Sequence, residues 1–441
     1  MQPEMTMHLI QAALAAVEPG AAVRVAVGRD GDVLSVAGHA YNLRDYDRVF
    51  LAGGGKAGAP MAQALAAILG DRLTAGWVNV KEGHLARGTV PAALTIHEAR
   101  HPVPDAAGLA GAERVLALAR EAGARDLLFC LISGGGSALL PAPAASLSLD
   151  DVQALTGVLL RCGATINEVN AVRKHVSRLA GGQLARAAAP AAVVSLILSD
   201  VVGSPLDVIA SGPTVPDGST FAEALAVLDR YGVTETVPAT VRAHLLAGRQ
   251  GRVPETPKPG DRLFRRVQNV IVGGNAIAAQ AAKAEAERLG FHALVLSTYV
   301  EGEAREVGRV AAGIAKSLTA DGLPLARPAC VILGGETTVT VRGAGRGGRN
   351  QELALAAALA LDGWAGVTVI ALATDGTDGP TDAAGAVVTG DTVRRAREQG
   401  LDAAAFLAAN DAYTFFDRAG GLLRTGPTNT NVNDLTVILA E

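Results

Sequence analysis

The stretch CVILGGETTVTVRGAGRGGRNQEL, residues 330–353, carries the pattern that decides the fold of the second half of this chain. Its apolar run 330–333 is typical of a buried strand, and the glycines that follow are predicted to end that strand. A β-branched run at 337–341 predicts a second strand, and the Ala/Leu-rich segment 353–361 predicts a helix. The order of strand, glycine-rich loop and helix is typical of an α/β protein.

Glycines and two arginines lie between the second strand and the helix of this stretch. Glycines let a backbone approach a ligand closely, and the amides at a helix start attract anions. Arg346 and Arg349 supply forked guanidinium groups that suit a carboxylate or a phosphate. We therefore interpret the loop as an anion-binding site; the alternative is a glycine-rich hairpin whose arginines face solvent.

The length and composition favour a two-domain enzyme. A chain of 441 residues is too long for one ordinary hydrophobic core. Charged residues make up 19% of the chain and the formal net charge is −4, whereas a nucleic-acid-binding protein needs a basic face. Aromatic residues make up only 3%, too few for the stacking platforms that bind single strands. We therefore expect no nucleic-acid partner.

Cysteine usage and the start of the chain indicate a reduced, cytoplasmic protein. Cys130, Cys162 and Cys330 lie far apart and form no metal-binding or disulfide pattern. The first residues lack the basic region of a signal peptide. The most membrane-like segment, 353–373, is interrupted by Asp362, so neither a transmembrane segment nor a membrane partner is expected.

The chain is predicted to divide into an N-terminal domain, residues 1–250, and a C-terminal domain, residues 267–441. The stretch 251–266 is rich in proline, glycine and charge, lacks periodicity and is predicted to be the linker. In the N-terminal domain, strands that end near residues 52, 132 and 198 alternate with helices. This alternation predicts a parallel sheet in an α/β/α sandwich, with the loops after these strands opening on one edge.

Two glycine-rich loops follow strands of the N-terminal domain, GGGKAG at 53–58 and SGGGS at 133–137. The first lacks the GxxxxGK[ST] spacing of a P-loop, and no acidic ribose partner follows about 20 residues on, as a dinucleotide site requires. Lys56 nevertheless lies where a helix begins and is a ready phosphate ligand.

The second loop offers backbone N–H groups and two hydroxyls without side-chain bulk, and we interpret it as a phosphate cradle. A nucleophilic serine is disfavoured because the GxSxG elbow is absent. The residues predicted to contact a nucleotide are Gly54, Gly55, Ser133, Gly134, Gly135, Gly136 and Ser137 in these two loops, and Glu336 in the C-terminal domain.

Carboxylates stand at or just beyond several predicted strand ends. Asp200, Asp375 and Asp378 are candidates for a Mg²⁺ site, because Mg²⁺ needs only one or two carboxylates when substrate phosphates supply further ligands. Each of the three is about as consistent with a helix cap or a turn.

Four further basic residues lie in helical or turn-rich regions and are not assigned to the predicted site. Arg173 and Lys174 lie on a helix predicted over 166–178, and if they have no function they would belong to a solvated face. His101 and His175 lie in regions rich in helix and turn and are interpreted as structural. None of the four enters the predicted site.

Seven motifs together resemble the glycerate 2-kinases of the MOFRL type. They are GGGKAG (53–58), SGGGSALLP (133–141), NAVRKHVSRLAGGQLA (170–185), SDVVGSPLDVIASGPTVPD (199–217), GGETTVTVRGAGRGGRNQE (334–352), ATDGTDGPTDAAGA (373–386) and TGPTNTNVNDL (425–435). The resemblance runs nearly end to end, in the order of the family. It implies a two-domain α/β fold, with a larger N-terminal Rossmann-like α/β/α sandwich, a smaller C-terminal α/β domain and a cleft between them.

The resemblance also implies ATP- and Mg²⁺-dependent phosphorylation of D-glycerate at its 2-hydroxyl, with the family's functional lysine at Lys56 and its functional arginine at Arg349. On chemical grounds we expect both cations to contact the transferring phosphoryl group. Asp200 is the first choice for the catalytic base. Arg346 or the loop 425–431 would bind the carboxylate of glycerate. A homo-oligomer is left open.

Two other functions compete with this interpretation. One is an NAD(P)H-dependent hydroxypyruvate reductase, against which the missing dinucleotide fingerprint counts. The other is a non-catalytic sensor of a sugar-acid phosphate. Carboxylates around the basic loops disfavour the sensor, because a pure anion binder gains nothing from like charges.

Overall fold

The computed structural model describes residues 3–85 and 88–441, and the chain divides into two compact units. The first unit comprises Pro19–Ser199 and Ser204–Val272. The second unit comprises residues 3–18, Asp200–Gly203 and Gly273–Glu441. Each unit has its own sheet with helices packed on it.

Strands and helices alternate along most of the chain. Within the described ranges the strands are β1 (Val27–Asp30), β2 (Val33–Val36), β3 (His39–Asn42), β4 (Arg48–Gly54), β5 (Leu73–Lys81), β6 (Leu94–Ala99), β7 (Asp126–Ser133), β8 (Ala192–Leu198), β9 (Val267–Gly273), β10 (His292–Glu303), β11 (Ala329–Thr338), β12 (Val367–Ala373), β13 (Gly385–Thr389), β14 (Leu422–Leu423) and β15 (Asp434–Ala440). The α-helices are α1 (Pro3–Ala16), α2 (Pro19–Ala26), α3 (Gly58–Leu69), α4 (Ala106–Glu121), α5 (Gly136–Leu139), α6 (Leu149–Arg161), α7 (Ile166–His175), α8 (Gln183–Ala188), α9 (Phe221–Arg230), α10 (Ala239–Arg249), α11 (Asn275–Arg288), α12 (Ala304–Ala320), α13 (Arg349–Ala360), α14 (Thr392–Glu398), α15 (Ala403–Ala408) and α16 (Ala412–Ala419). Short 3-10 helices lie at Leu43–Asp45, Gly70–Arg72, Ile209–Ser211 and Arg262–Arg266.

The first unit is built on a sheet with the strand order β6-β5-β4-β7-β8-β9. β4 pairs in parallel with β5 and β7, β5 with β6, and β7 with β8. Every residue of β7 and β8 is buried, as expected of near-continuous apolar runs in a parallel sheet. The order is that of a Rossmann-like fold, whose winding reverses between β4 and β7. The predicted α/β class is therefore confirmed.

The second unit is built on a mixed sheet with the order β10-β11-β15-β12-β13-β14. Only the pair β10 and β11 is parallel among its described strand pairs. The last strand, β15, lies between β11 and β12 and runs antiparallel to both. The end of the chain therefore completes the middle of this sheet.

The unit boundaries differ from the predicted ones. β9 is the edge strand of the first sheet, so the C-terminal part of the second unit begins at Gly273, whereas the predicted C-terminal domain begins at residue 267. The predicted linker 251–266 packs within the first unit, where the Thr256 hydroxyl donates to Asp217 Oδ2 at 2.9 Å. Helix α1 packs on α11 in the second unit. Composition reveals an irregular segment but not whether that segment is packed.

Two elements differ from their predicted extents because of local hydrogen bonding and strand pairing. The helical pattern over 166–188 is interrupted between α7 and α8, where Ser177 Oγ accepts the N–H groups of Leu179 and Ala180, both at 3.1 Å. β11 continues through Gly334 and Gly335 to Thr338, because it keeps pairing with β10. The sequence had not predicted the antiparallel sheet of β1, β2 and β3.

Membrane-crossing helices were sought within the described residues. No single helix there is long and apolar enough to cross a membrane; α1 and α2 reach the required length and hydropathy only when taken together.

Helices α12 and α13 pack closely because small residues line their interface. Ala311, Ala312 and Ala315 of α12 are fully buried. A Cβ placed on Gly308 of the same helix would lie 2.2 Å from the carbonyl oxygen of Leu353 in α13. The alanine-rich composition of this half therefore reflects close helix packing.

We predict that Gly308→Ala destabilises the protein by about 1–3 kcal/mol, because the new methyl group pushes α12 away from α13. Gly313→Ala is the matched control on the same helix, since a Cβ there meets no atom within 4 Å. The control is expected to stabilise the helix by about 0.5–1 kcal/mol. Urea denaturation measures both changes, and equal effects of the two substitutions would contradict the packing argument.

Candidate active site

The two glycine-rich loops of the first unit are joined directly at the carboxyl ends of β4 and β7. The Lys56 N–H donates to the Gly134 carbonyl at 2.9 Å, and the Ala57 N–H donates to Ser133 Oγ at 3.1 Å. A Cβ on Gly55 would lie 2.1 Å from that hydroxyl oxygen, so the approach requires glycine. These loops lie where the winding of the sheet reverses, the place where such folds bind ligands.

A cavity of about 370 Å³ opens beside the joined loops, within the usual size range of a small-molecule site. Gly54, Gly135, Gly136 and Ser137, all predicted to contact a nucleotide, line it. The Ser137 and Ser211 hydroxyl oxygens lie 3.0 Å apart in a hydrogen bond. The structure thus brings these four predicted residues to one cavity, whereas Gly55, Ser133 and Gly134 lie outside its lining.

His101 lies at this cavity next to the lysine predicted to act on phosphate. Burial, together with the positive charge of Lys56 and of other nearby basic groups, lowers the pKa of His101 to about 4. The imidazole is therefore neutral at neutral pH and does not add a charge to the site.

Arg349 in the second unit is held by two carboxylates. Its Nε and Nη2 donate to the two oxygens of Asp434 at 2.5 and 2.9 Å, and its Nη1 donates to Glu336 Oε1 at 2.7 Å. Arg349 is the first residue of α13, Asp434 the first residue of β15, and Glu336 lies in β11. The paired hydrogen bonds fix the plane of the guanidinium group.

Burial raises the pKa of the Asp434 carboxyl to about 6, although the hydrogen bonds from Arg349 oppose that rise. Burial works in the opposite sense on Arg349, but the contact with Asp434 raises the pKa of the guanidinium above its usual value. Both groups are therefore charged at neutral pH. Below about pH 6 the carboxyl becomes protonated and loses its pairing with the arginine.

Asn433 connects this arginine cluster to Asp200. Its Nδ2 donates to the Asp200 carbonyl at 2.7 Å and to Glu336 Oε2 at 2.9 Å. Asp200 follows a strand of the first sheet but belongs to the second unit. The structure therefore brings the backbone of Asp200 and the side chains of Glu336 and Arg349 to one cluster.

Sequence reasoning missed both Asn433 and Asp434. The two residues lie in the motif TGPTNTNVNDL, of which only the loop 425–431 was considered as a binding segment. Asp434 opens the final strand, and only the placement of that strand beside β11 brings its carboxylate to Arg349. The sequence does contain one signal for Asp434, namely a charged residue at the start of an apolar strand, because a buried charge needs a partner.

Asp378, one of the three predicted Mg²⁺ ligands, caps helix α13 in the structure. Its Oδ1 accepts the Asn350 N–H at 3.1 Å, and its Oδ2 accepts the Gln351 N–H at 2.8 Å. A Cβ on Gly348 would lie 2.3 Å from the Asp378 carboxyl carbon, so glycine is needed for this approach. The buried carboxylate thus satisfies amide groups that a helix start leaves without partners.

Asp375 is a better candidate than Asp378 for a carboxylate that meets Mg²⁺. It is half-buried, its Oδ1 accepts the Thr377 N–H at 3.0 Å, and it lines a groove of about 780 Å³ together with Arg349. In the parts of the chain that the structure describes, no three His, Cys, Asp or Glu residues form a cage for a metal ion. Mg²⁺ complexed to a nucleotide needs only one or two protein carboxylates, and Asp375 fits that requirement.

Arg346 and the loop 425–431, which were predicted to bind the carboxylate of glycerate, make contacts within the second unit. The Arg346 guanidinium lies 4.3 Å from the centroid of the Tyr413 ring, and its Nε donates to the Pro380 carbonyl at 3.2 Å. In the loop 425–431, the Thr428 hydroxyl donates to the Thr374 carbonyl at 2.6 Å.

The fold and the site together define a class: a two-unit α/β protein with a Rossmann-like first unit, joined glycine-rich loops and an arginine fixed by carboxylates. The protein-family model described as "Domain of unknown function (DUF4147)" matches residues 5–246. The model described as "MOFRL family" matches residues 329–434.

Comparison with known proteins gives matches over nearly the full chain. The D-glycerate 2-kinase of Thermotoga maritima is 45% identical over 391 residues, which cover 89% of this chain and 90% of that protein. A protein of Agrobacterium vitis described as a putative hydroxypyruvate reductase is 47% identical over 399 residues, covering 90% of this chain and 88% of the relative. The crystal structure of glycerate kinase from Thermotoga maritima matches with a TM-score of 0.89 and 41% identity, covering 99% of each chain. The chain belongs to the glycerate kinase family of the MOFRL type, which confirms the resemblance found in the sequence.

We predict that Asp378→Ala destabilises the protein by at least about 2 kcal/mol, because two buried backbone N–H groups lose a charged acceptor. Asp375→Ala is the matched control, since its carboxylate supports only a turn, and we expect a change within about 1 kcal/mol. Urea denaturation compares the two variants. If Asp378→Ala were as stable as Asp375→Ala, the capping role would be wrong.

We predict that Asp434 titrates with a midpoint near 6 in carboxyl ¹³C NMR of selectively labelled protein. Arg349→Ala should move this midpoint upwards, because removal of the guanidinium leaves the buried carboxylate without its cation. Arg346→Ala removes the same charge from the same loop without a contact to Asp434, so it should leave the midpoint unchanged. A midpoint that fell or stayed constant in Arg349→Ala would contradict the proposed pairing.

Proposed function

We propose that this protein transfers the γ-phosphoryl group of ATP to the 2-hydroxyl of D-glycerate, giving ADP and 2-phosphoglycerate. The observation that carries the proposal is the position of Lys56 at the junction of the two joined loops, in a chain similar to a D-glycerate 2-kinase over most of its length. A kinase requires a nucleotide, and the glycine-rich loops offer close backbone approach to phosphates.

Phosphoryl transfer depends on in-line positioning and on stabilisation of charge on the transferring group. The Lys56 ammonium would neutralise part of that charge. Arg349 has five N–H donors, of which Asp434 and Glu336 engage three. The remaining two donors would contact the phosphoryl group, with the guanidinium plane already fixed by the carboxylates.

A carboxylate is needed to accept the proton of the attacking hydroxyl group. Asp200 remains our proposal for this base, because Asn433 places its backbone beside the arginine cluster. Mg²⁺ would enter as part of the nucleotide complex and neutralise phosphate charge, with Asp375 as a protein ligand. A cytoplasmic location and a homo-oligomeric state remain predictions.

Two observations favour a second candidate, an NAD(P)H-dependent hydroxypyruvate reductase. One is the description of the Agrobacterium relative. The other is Glu82, which directly follows β5, where a dinucleotide fold places its ribose-binding acid. Glu82 lies farther along the chain than the usual spacing of about 20 residues, so that spacing does not reveal it in the sequence. Its carboxylate lies 3.6 Å from Arg100, and its side chain is mostly exposed. The joined lysine-bearing loops support the kinase better.

We predict that purified protein converts ATP, Mg²⁺ and D-glycerate to ADP and 2-phosphoglycerate. Enolase added without a mutase reports the 2-phosphate directly, because it does not act on the 3-phosphate. Lys56→Ala should lower kcat by roughly 10²-fold, since one oriented positive group is lost from the transition state. Lys283→Ala is the control, because Lys283 pairs with Glu287 on the surface of α11.

Three results would contradict the proposal. Exclusive formation of the 3-phosphate would exclude the 2-hydroxyl as acceptor. Oxidation of NADH with hydroxypyruvate, in the absence of phosphorylation, would favour the reductase. A kcat for Lys56→Ala equal to that of Lys283→Ala would remove Lys56 from the reaction.

A further inference from the structure

Arg173 is a half-buried arginine whose charge has no partner among the residues that the structure describes. It lies on α7 and makes no ion pair or side-chain hydrogen bond with any residue in 3–85 and 88–441. Burial lowers the pKa of its guanidinium, which nevertheless stays charged. The neighbouring Lys174, by contrast, lies 3.3 Å from Asp207 and 3.4 Å from Asp217. An uncompensated, partly desolvated cation is costly, so a bound anion is the expected partner.

The Arg173 side chain lines the cavity beside the joined loops of the first unit. Ser177, one turn further along, lines it as well. One turn before Arg173, Asn170 Oδ1 accepts the Ser211 hydroxyl at 3.0 Å. The buried Asn170 Nδ2 has no hydrogen-bond acceptor among the described residues. Two unpaired donor groups therefore lie on the same helix, next to residues that line the cavity.

The lining of this cavity contains no carboxylate among the described residues. Its ionisable side chains are Arg173 and His101, and the imidazole is neutral at neutral pH. The groove of the second unit is different, because Asp375, Asp378 and Glu352 line it with Arg349. An anion that enters the cavity of the first unit therefore meets a positive charge and no like charge.

The rest of the cavity wall is largely apolar. Pro104, Val152, Leu155, Leu160 and Leu179 contribute to it. Ligand sites for nucleotide-sized molecules combine apolar walls with a few well-placed polar groups. A three-carbon acid such as glycerate would leave most of this wall uncovered, whereas a nucleobase and ribose would cover it.

We propose that this cavity binds the nucleoside triphosphate, with Arg173 on phosphate oxygens and the nucleobase against the apolar wall. The assignment rests on the proposed kinase function and names the part of the chain that holds its nucleotide. It gives Arg173 a binding role in place of the solvated position expected of it if it had no function.

Calorimetric titration with the non-hydrolysable analogue AMP-PNP and excess Mg²⁺, without glycerate, tests the assignment. Arg173→Ala should raise the Kd for AMP-PNP by about tenfold or more, as expected for the loss of a charge-assisted hydrogen bond. The Kd for adenosine should stay within about twofold of the wild-type value, because adenosine has no phosphate that Arg173 could contact. A tenfold shift would correspond to the loss of one charge-assisted hydrogen bond. Arg161→Ala is the matched control, because Arg161 is an exposed arginine on the preceding helix and does not line the cavity.

Circular dichroism and thermal unfolding of each variant show whether it is folded, and Arg173→Lys provides a second variant that keeps the charge. We expect Arg173→Lys to bind AMP-PNP more tightly than Arg173→Ala. An unchanged Kd for AMP-PNP in folded Arg173→Ala would overturn the proposal. So would an equal loss of affinity for adenosine, or a raised KM for glycerate with unchanged nucleotide binding.

The test is separate from that of the proposed function. A wild-type protein that binds AMP-PNP but does not phosphorylate glycerate would refute the kinase assignment and leave the nucleotide site in place. A wild-type protein that phosphorylates glycerate while Arg173→Ala binds AMP-PNP normally would refute the nucleotide site alone.

Discussion

The pairing of Arg349 with Asp434 is the interaction on which the arrangement of the second unit's site depends. A buried ion pair is favourable only when its geometry is good and its remaining hydrogen-bonding groups are satisfied. Here both oxygens of Asp434 face the side of the guanidinium, and Glu336 takes a third donor. The pair joins the start of α13 to β11 and β15, so that the sheet, the helix and the cation have to form together.

Two carboxylates near the start of α13, Asp378 and Asp375, differ in what they contact. Asp378 is buried and accepts two backbone N–H groups of α13, so its lone pairs are committed to the fold. Asp375, three residues earlier, is half-buried and lines the groove that contains Arg349. Burial and the number of donors that face each carboxylate separate the two roles, because a carboxylate engaged by amides has little left to offer a metal ion.

The two units surround their cations differently. In the second unit the cation is fixed by carboxylates, which improves its orientation but cancels much of its charge. In the first unit the glycine-rich loops and Arg173 share a cavity whose described lining residues include no carboxylate. A cation fixed by carboxylates, as in the second unit, suits a group whose charge develops during a reaction. A cation without carboxylates nearby, as in the first unit, suits a ligand that is already highly charged when it binds.

The sequence predicted those features that depend on local pattern. The strands before Lys56 and Ser133, the glycine-rich loops and the Rossmann-like class follow from apolar runs and turn residues, and the structure contains all of them. Asp434 could not be assigned in this way, because its role arises from the pairing of β15 with β11, about a hundred residues apart in the sequence. The compact units differ from the predicted domain ranges for a similar reason, since α1 packs on α11, a helix far along the chain.

Arg173 and Lys174 are neighbours in the sequence, but their side chains have different surroundings in the structure. Without a function both would belong to one solvated face, yet neighbouring residues on a helix point about 100° apart. Lys174 reaches Asp207 and Asp217, whereas Arg173 lines a cavity that has no acidic residue in the part of the chain that the structure describes. Helical geometry alone separates the two side chains, but only the positions of the carboxylates show which cation lacks a partner. A buried cation that the fold leaves uncompensated marks the place where a ligand would supply the missing negative charge.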